Sequence, residues 1–304
     1  DILMESNLED EKRLKEILAM LKSRLQMSFL SAGHTTAALR ALSYTSPIAK
    51  FKDDTDGIGY YEVVKKIEED FEGHKDDLIR NLKAIAANLF RADNMMVSYT
   101  SAEEGLEPME KAFVKVSREL GDAVDAPEPV SSDEVSGACV LHCTKRNEGF
   151  KTSSKVQYVA RTGNFIDGGA GYTGALQILK VILSYDYLWQ NVRVKGGAYG
   201  CMSNFNRIGE GYLISYRDPN LEKTMEVYEG VVDYLRNFNV SDRDMNKFII
   251  GTISNIDRPM NPAAKGNRSM NLYMNRVTEE MIRQERAQIL DADQEDIRAL
   301  AEVL

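Results

Sequence analysis

Leu14, Leu18, Leu21 and Leu25 recur at three- and four-residue intervals, while Glu11, Lys12, Lys15 and Glu16 fall between them. That period predicts an amphipathic helix with one apolar face. Similar patterns predict helices from about Tyr60 to Phe71 and from His74 to Phe90. "NMMVSYT" then reads as a strand, and "SAEEGLEPMEKAFVKVSREL" as a helix capped by Ser101 with Glu104 three residues on. A single strand among helices has no partner before it, so its partners are expected in the second domain or upstream of Asp1.

The stretch "GDAVDAPEPVSSDEV" is rich in proline, serine and acid, which is linker composition. We place a first, mainly helical domain at 1–121, a linker at 122–135 and a second domain at 136–304. In the second domain, "GACVLHC" and "SKVQYVARTG" predict a strand pair. "ALQILKVILSYDYLW" is apolar nearly all round and predicts a buried helix. "AYGCMSNFN" and "GYLISYR" predict a hairpin over "RIGE". Helices follow, capped by Asp218 before Pro219, by Ser241 with Asp244, and by Asn261 before Pro262. Leu221, Met225, Val232 and Leu235 are expected on one buried face. The fold class is α+β: two related layered domains with helices on a mainly antiparallel sheet, the first truncated and mostly helical.

The 304 residues are 43% hydrophobic and 28% charged, a globular composition. The net charge of −9, without a basic block, argues against nucleic acid as a partner. No apolar run approaches the roughly 18–20 residues of a membrane span, and no signal pattern opens the chain. Cys139, Cys143 and Cys201 are too few for a disulfide framework and suit a reducing compartment, so a cytoplasmic location is expected.

Metal and nucleotide chemistry find little support. In "CVLHC" a strand would turn Cys139 and Cys143 to one face and His142 to the other, and no second ligand cluster completes a zinc site. "GAGYTG" matches a dinucleotide loop, but "NFIDG" separates it from the preceding strand, and a plain glycine loop is expected. "KDDTDGIGYYEV" would put Lys52 and Val63 at the first and last ligand positions of a calcium loop, so it reads as an acidic, solvated turn. His34, His74 and His142 are scattered, and neither H-x-x-E-H, H-E-x-x-H nor G-x-S-x-G occurs.

"RVKGGAYG", from Arg193 to Gly200, carries the candidate chemistry. Arg193 would end the buried helix and Tyr199 would open the next strand. Gly196 and Gly197 form a tight structural corner that brings a guanidinium and a phenol to one side. Two such donors on rigid elements are what a substrate carbonyl or an oxyanion requires.

"YLWQNVRVKGGAYG" followed by "GYLISYRDPNLEKTMEVYEGVVDYL" resembles the C-terminal half of the presequence proteases, within the pitrilysin and insulin-degrading-enzyme group of zinc metallopeptidases. The specific likeness runs from about Lys155 to Asn237; the helical first third is similar to the later part of that family's third domain. The resemblance implies four related α+β domains in two halves that close around a peptide. It implies that zinc and the general base belong to an N-terminal half absent from this chain, and that this chain alone binds no metal and is inactive. It assigns Arg193 and Tyr199 to the substrate carbonyl and oxyanion, across the chamber from zinc. Partners would be unfolded peptides, such as targeting peptides, and the N-terminal half of the same polypeptide; no nucleic acid or membrane is expected. The start at Asp1 and the partnerless strand lead us to expect a piece of a longer peptidase. The alternative is a non-catalytic homologue that keeps the chamber fold for binding or scaffolding.

Overall fold

The computed structural model describes residues 5–120 and 143–304. Cys139, His142, the strand expected from Gly137 and the linker expected at 122–135 lie outside the described residues. The helices α1 (Glu11–Ser31), α2 (Gly33–Leu42), α3 (Pro47–Asp56), α4 (Ile58–Glu69), α5 (Phe71–Leu89) and α6 (Leu106–Leu120) come first along the chain. The strand β1 (Ala160–Asn164), helix α7 (Ala175–Ile182) and hairpin β2 (Gly200–Phe205) and β3 (Glu210–Tyr216) follow. The helices α8 (Glu222–Glu229), α9 (Val231–Arg236), α10 (Asp242–Ile256), α11 (Pro262–Met274), α12 (Glu279–Asp291) and α13 (Gln294–Ala299) complete the order. The class is α+β, as the patterning predicts.

Two compact units emerge, each gathered from three stretches of chain. The first draws on Asp1–Arg24, Glu62–Val140 and Pro259–Val277; the second on Leu25–Tyr61, Leu141–Arg258 and Thr278–Leu304. In the first unit, Leu18, Val64 and Phe71 are buried between helices. Around them Lys15 meets Glu72 at 2.7 Å, Lys22 meets Glu68 at 2.7 Å and Lys75 meets Glu11 at 2.9 Å. Such exposed pairs add little each, so burial of the apolar faces carries this packing. "NMMVSYT" is not a strand here: its backbone joins no ladder among the described residues. Its β-forming composition has nothing to pair with, and propensity alone does not make a strand. The expected cap at Ser101 also differs, because its hydroxyl donates to the Ala102 carbonyl and a 3-10 turn at Glu103–Gly105 precedes α6.

The second unit is built on an antiparallel sheet of order β1-β3-β2. Leu213 and Ile214 are consecutive on the central strand β3, point to opposite faces, and are both buried. Both faces are therefore covered. On one side lies α7, whose Leu176, Ile178, Leu179 and Ile182 are fully enclosed with Leu213, Phe205 and Leu235 in the core. On the other, α2 packs against β1 and β3. Gly33 permits that approach, since a Cβ there would lie 2.3 Å from the Tyr158 ring. Each fully buried leucine or isoleucine of α7 contributes about 1.5–3 kcal/mol by leaving water.

The caps at Ser241 and Asn261 form as the sequence predicts, accepting from the backbone N–H groups of Asp244 and Ala264. Asp218 does not cap α8. It is fully buried, and it accepts the Asn220 N–H at 2.9 Å and the Thr224 hydroxyl at 2.7 Å in a turn before the helix. Leu221 is accordingly exposed, and Thr224, Tyr228, Val231 and Leu235 form the buried face.

"KDDTDGIGYYEV" is a correction of a different kind. Rather than a solvated turn, it is the junction of α3 and α4, with Asp53 fully buried. Arg40 donates to Asp53 at 2.6 Å, and the N–H groups of Ile58 and Gly59 donate to the same carboxylate, closing the start of α4. Arg40 also donates to Glu148 at 2.8 Å, where the Tyr44 hydroxyl joins it. Burial alone would lower the Arg40 pKa, but Glu148 and Asp53 hold it well above its ordinary value. In return the Arg40 guanidinium holds the Glu148 carboxyl below the usual range, against its own burial. A depressed carboxylate stabilises the fold above its unfolded pKa and loses that contribution as pH falls through the folded one. Glu148→Gln is therefore expected to lower the melting temperature at neutral pH, with the gap to the wild type closing as pH drops below about 4.3. A gap that stays constant down to acid pH would show that the ion pair contributes nothing.

Candidate functional site

The buried helix does not end as an α-helix. After Ile182 it widens into π turns at Leu183–Tyr187 and Trp189–Val194, closed by bonds such as the Lys195 N–H to the Gln190 carbonyl at 3.0 Å. Side chains pin these turns. The Tyr187 hydroxyl donates to the Val227 carbonyl at 2.9 Å, and the Tyr234 hydroxyl to Asp186 at 3.0 Å. Gly230 makes room, because a Cβ there would sit 2.6 Å from the Tyr187 oxygen. Wide turns of this kind are rare and concentrate at functional sites. Arg193 stands in the last of them.

The corner follows at once. Gly197 adopts φ +79°, a left-handed conformation that favours glycine, and its N–H donates to the Arg193 carbonyl at 2.9 Å. A Cβ on Gly196 would come within 2.5 Å of the Val192 carbonyl oxygen. The Ala198 N–H returns to that same Val192 carbonyl at 3.1 Å, and Asn220 Nδ2 holds the Gly196 carbonyl at 2.5 Å. Both glycines are thus required for the turn.

Arg193 and Tyr199 are brought together. The guanidinium carbon of Arg193 lies 3.9 Å from the centre of the Trp189 ring and 6.0 Å from that of Tyr199. Stacking on an aromatic face engages the face of the guanidinium and leaves its in-plane N–H donors free. Tyr199 is 66% exposed, and its ring meets Tyr216 edge-on at 5.7 Å. Neither the Arg193 guanidinium nor the Tyr199 hydroxyl is taken up by a hydrogen bond or ion pair among the described residues. Two donors on rigid elements are held ready for an external acceptor.

The setting of Tyr199 contains a feature that sequence patterning misses. Ala160 faces Ile214 in the sheet, while Gln157 faces Asp218. Three steps along one strand therefore oppose four along the other, and the extra residue lies at Tyr216–Arg217. That is a β-bulge, and Arg217 in it has φ +50°. The Tyr199 N–H reaches both carbonyls of the bulge, Tyr216 at 3.0 Å and Arg217 at 3.3 Å. The Tyr216 ring is the hub of an aromatic group, with His34 at 4.8 Å and Tyr158 at 5.7 Å. The Nδ1 atom of His34 is buried without a hydrogen-bond partner, and burial lowers the pKa of that ring.

Other nucleophile and ligand readings lose ground. Burial pushes the Cys201 thiol up to about 11, away from thiolate chemistry at neutral pH. In "GAGYTG" the Gly174 N–H at the start of α7 is engaged by Gln288 Oε1 at 2.8 Å, and the Tyr172 hydroxyl donates to Glu285 at 2.5 Å. Among the described residues, no group of three or more His, Cys, Asp and Glu side chains converges to hold a metal ion.

This corner lies inside a recognised sequence family. Residues 147–304 match the PreP C-terminal domain, and residues 1–67 match a second family described as peptidase-associated. The chain belongs to the PreP C-terminal domain family. It is 35% identical over 305 residues to Protein HypA of Clostridium perfringens, which covers 100% of this chain and 30% of that protein. It is 30% identical over 308 residues to Presequence protease 1, chloroplastic/mitochondrial, of Arabidopsis thaliana, covering 100% of this chain and 27% of that one. With Presequence protease, mitochondrial, of Yarrowia lipolytica the identity is 25% over 308 residues, or 99% of this chain and 30% of the relative. The chain spans less than a third of the length of these curated relatives. The similarity to the C-terminal half of a presequence protease-like peptidase, expected from "RVKGGAYG" and "SYRDPN", is borne out.

Proposed function

We propose that this chain is the substrate-clamping C-terminal part of a zinc-dependent endopeptidase that degrades short unfolded peptides, targeting peptides among them. The observation that carries the reading is the pair of uncommitted donors, Arg193 and Tyr199, set on a π turn and a strand around the double-glycine corner. Membership of the PreP C-terminal domain family supports it, as do relatives named presequence proteases. On this reading the first described unit derives from the family's third domain, and the sheet-bearing unit contains its fourth.

Zinc has no fitting ligand set among the described residues, so its ligands would have to come from outside this chain. What this chain's own residues do is bind and polarise. Arg193 places a fixed positive charge, and Tyr199 a neutral hydroxyl, against the carbonyl oxygen of the bond to be cut. As that oxygen gains charge, both hydrogen bonds strengthen, which lowers the barrier without tightening the ground state to the same degree. The closing of a second half over the corner would exclude water and strengthen both interactions. The neutral Cys201 thiol suits a reducing compartment. That condition is met in the cytoplasm, the location we propose, and equally inside the organelles that the plant and yeast relatives' names mention. No described helix is long and apolar enough to cross a membrane.

The test compares the 304-residue chain with the full polypeptide that contains it. The full polypeptide is expected to cleave an unstructured peptide of about thirty residues in a chelator-sensitive way, with the chain alone inactive and free of zinc. Cleavage or stoichiometric zinc in the chain alone would overturn the division of labour. A full polypeptide that binds the peptide and leaves it intact would favour the scaffold alternative.

A further inference from the structure

We propose that the bulge at Tyr216–Arg217 makes Arg217 a second substrate-binding arginine, which takes a carboxylate of the peptide beside the Arg193–Tyr199 corner. This rests on the peptidase reading and deepens it by assigning a subsite.

The backbone gives the first reason. Arginine at φ +50° carries a steric cost that glycine, or asparagine to a lesser degree, avoids. Arg276 has a similar angle of +53°, but it follows the end of α11, where its N–H and that of Val277 satisfy the Tyr273 and Leu272 carbonyls. A left-handed residue is expected at such a helix end. Arg217 has no helix to terminate. It occupies a bulge in the central strand, the kind of irregularity that re-aims a side chain next to an active site.

The surroundings give the second. Arg217 is exposed, and its guanidinium carbon lies 5.3 Å from the centre of the Tyr216 ring. That ring in turn touches the Tyr199 ring, over which Arg193 lies. The two guanidinium groups thus flank one pair of tyrosines, and neither is matched by a carboxylate among the described residues. The nearest acid in sequence, Asp218, is fully buried and committed to Asn220 and Thr224, so it does not neutralise its neighbour. Because the Tyr199 N–H is bonded to the Arg217 carbonyl, the two residues move as one piece.

The chemistry gives the third. Two unmatched guanidinium groups on a chain of net charge −9 make a local anion-accepting spot. A guanidinium presents paired N–H donors that fit a carboxylate in a bidentate manner. A peptide offers carboxylates in two places, at its free C-terminus and on Asp or Glu side chains. Arg217 would hold one of them while Arg193 and Tyr199 address the bond to be cut, so it is a positioning residue and its effect belongs in KM.

The experiment uses the full polypeptide with Arg217→Gly, which suits the left-handed backbone, with Arg217→Asn as a second tolerant variant and Arg217→Lys as the conservative one. Arg217→Gly is expected to raise KM about tenfold on a peptide with a free C-terminus and one acidic side chain, with kcat within twofold and the melting temperature unchanged or higher. Arg217→Lys should recover part of the loss. Amidating the C-terminus, or replacing the acidic side chain by its amide, is expected to abolish the difference in one arm, and that arm identifies the carboxylate. Unchanged KM in both Gly and Asn variants overturns the proposal. So does a raised KM that persists on peptides lacking both carboxylates, or a loss of affinity that merely tracks a lower melting temperature. If the wild-type polypeptide cleaves nothing, the peptidase reading fails first and this inference falls with it.

Discussion

Replacing Tyr199 by phenylalanine in the full polypeptide is expected to lower kcat roughly 100- to 1,000-fold, or about 3–4 kcal/mol, the usual cost of one oxyanion donor. The substitution removes only the hydroxyl. The ring keeps its edge-on contact with Tyr216, and the backbone keeps its bonds to the bulge carbonyls, so the corner itself should survive. KM should change little, because the phenol acts on charge that develops during reaction rather than on the resting peptide. Arg193→Ala is expected to cost at least as much, since it removes a charged donor and also uncovers the Trp189 face at 3.9 Å. Single-turnover cleavage, with near-ultraviolet circular dichroism as the control for folding, reads both effects. Equal turnover in Tyr199→Phe and the wild type would remove Tyr199 from the chemistry.

The second large effect concerns stability. Asp53→Ala is expected to destabilise the sheet-bearing unit by about 3–5 kcal/mol, because it leaves Arg40 without the partner that compensates its burial. The Asp53 carboxylate is fully buried, meets Arg40 at 2.6 Å and caps two N–H groups at the start of α4. Its loss therefore strands a cation and two backbone donors together. Urea unfolding of the 304-residue chain measures this directly. A change below about 1 kcal/mol, typical of an exposed pair, would show that water replaces the carboxylate.

The parts of this fold that were legible in the sequence are those set by local pattern. "ALQILKVILSYDYLW" is apolar on all sides, and it is the centre of the core. The hairpin over "RIGE" follows from alternation and a glycine turn, and Ser241 and Asn261 cap by the chemistry of their own side chains. The double glycine of the corner is equally local, and it pointed to Arg193 and Tyr199.

What escaped depends on partners distant in the chain. Asp53 looks like one acid in a solvated run until Arg40, thirteen residues earlier, is seen against it. The π turns arise because Tyr187 and Asp186 are held by Val227 and Tyr234, which no periodicity reveals. The bulge at Arg217 exists only in the register between Gln157 and Asp218. "NMMVSYT" shows the converse, a strand-like composition with no ladder among the described residues.

The most direct test of the central claim is the affinity of the full polypeptide for two peptides of one sequence, one carrying a tetrahedral phosphinate in place of the scissile amide. If the corner stabilises developing charge, Tyr199→Phe weakens phosphinate binding about 100-fold and leaves the plain peptide nearly unaffected. If both affinities fall together, or neither moves, the corner serves only to pack or hold the peptide, and the account given for Arg193 and Tyr199 is wrong.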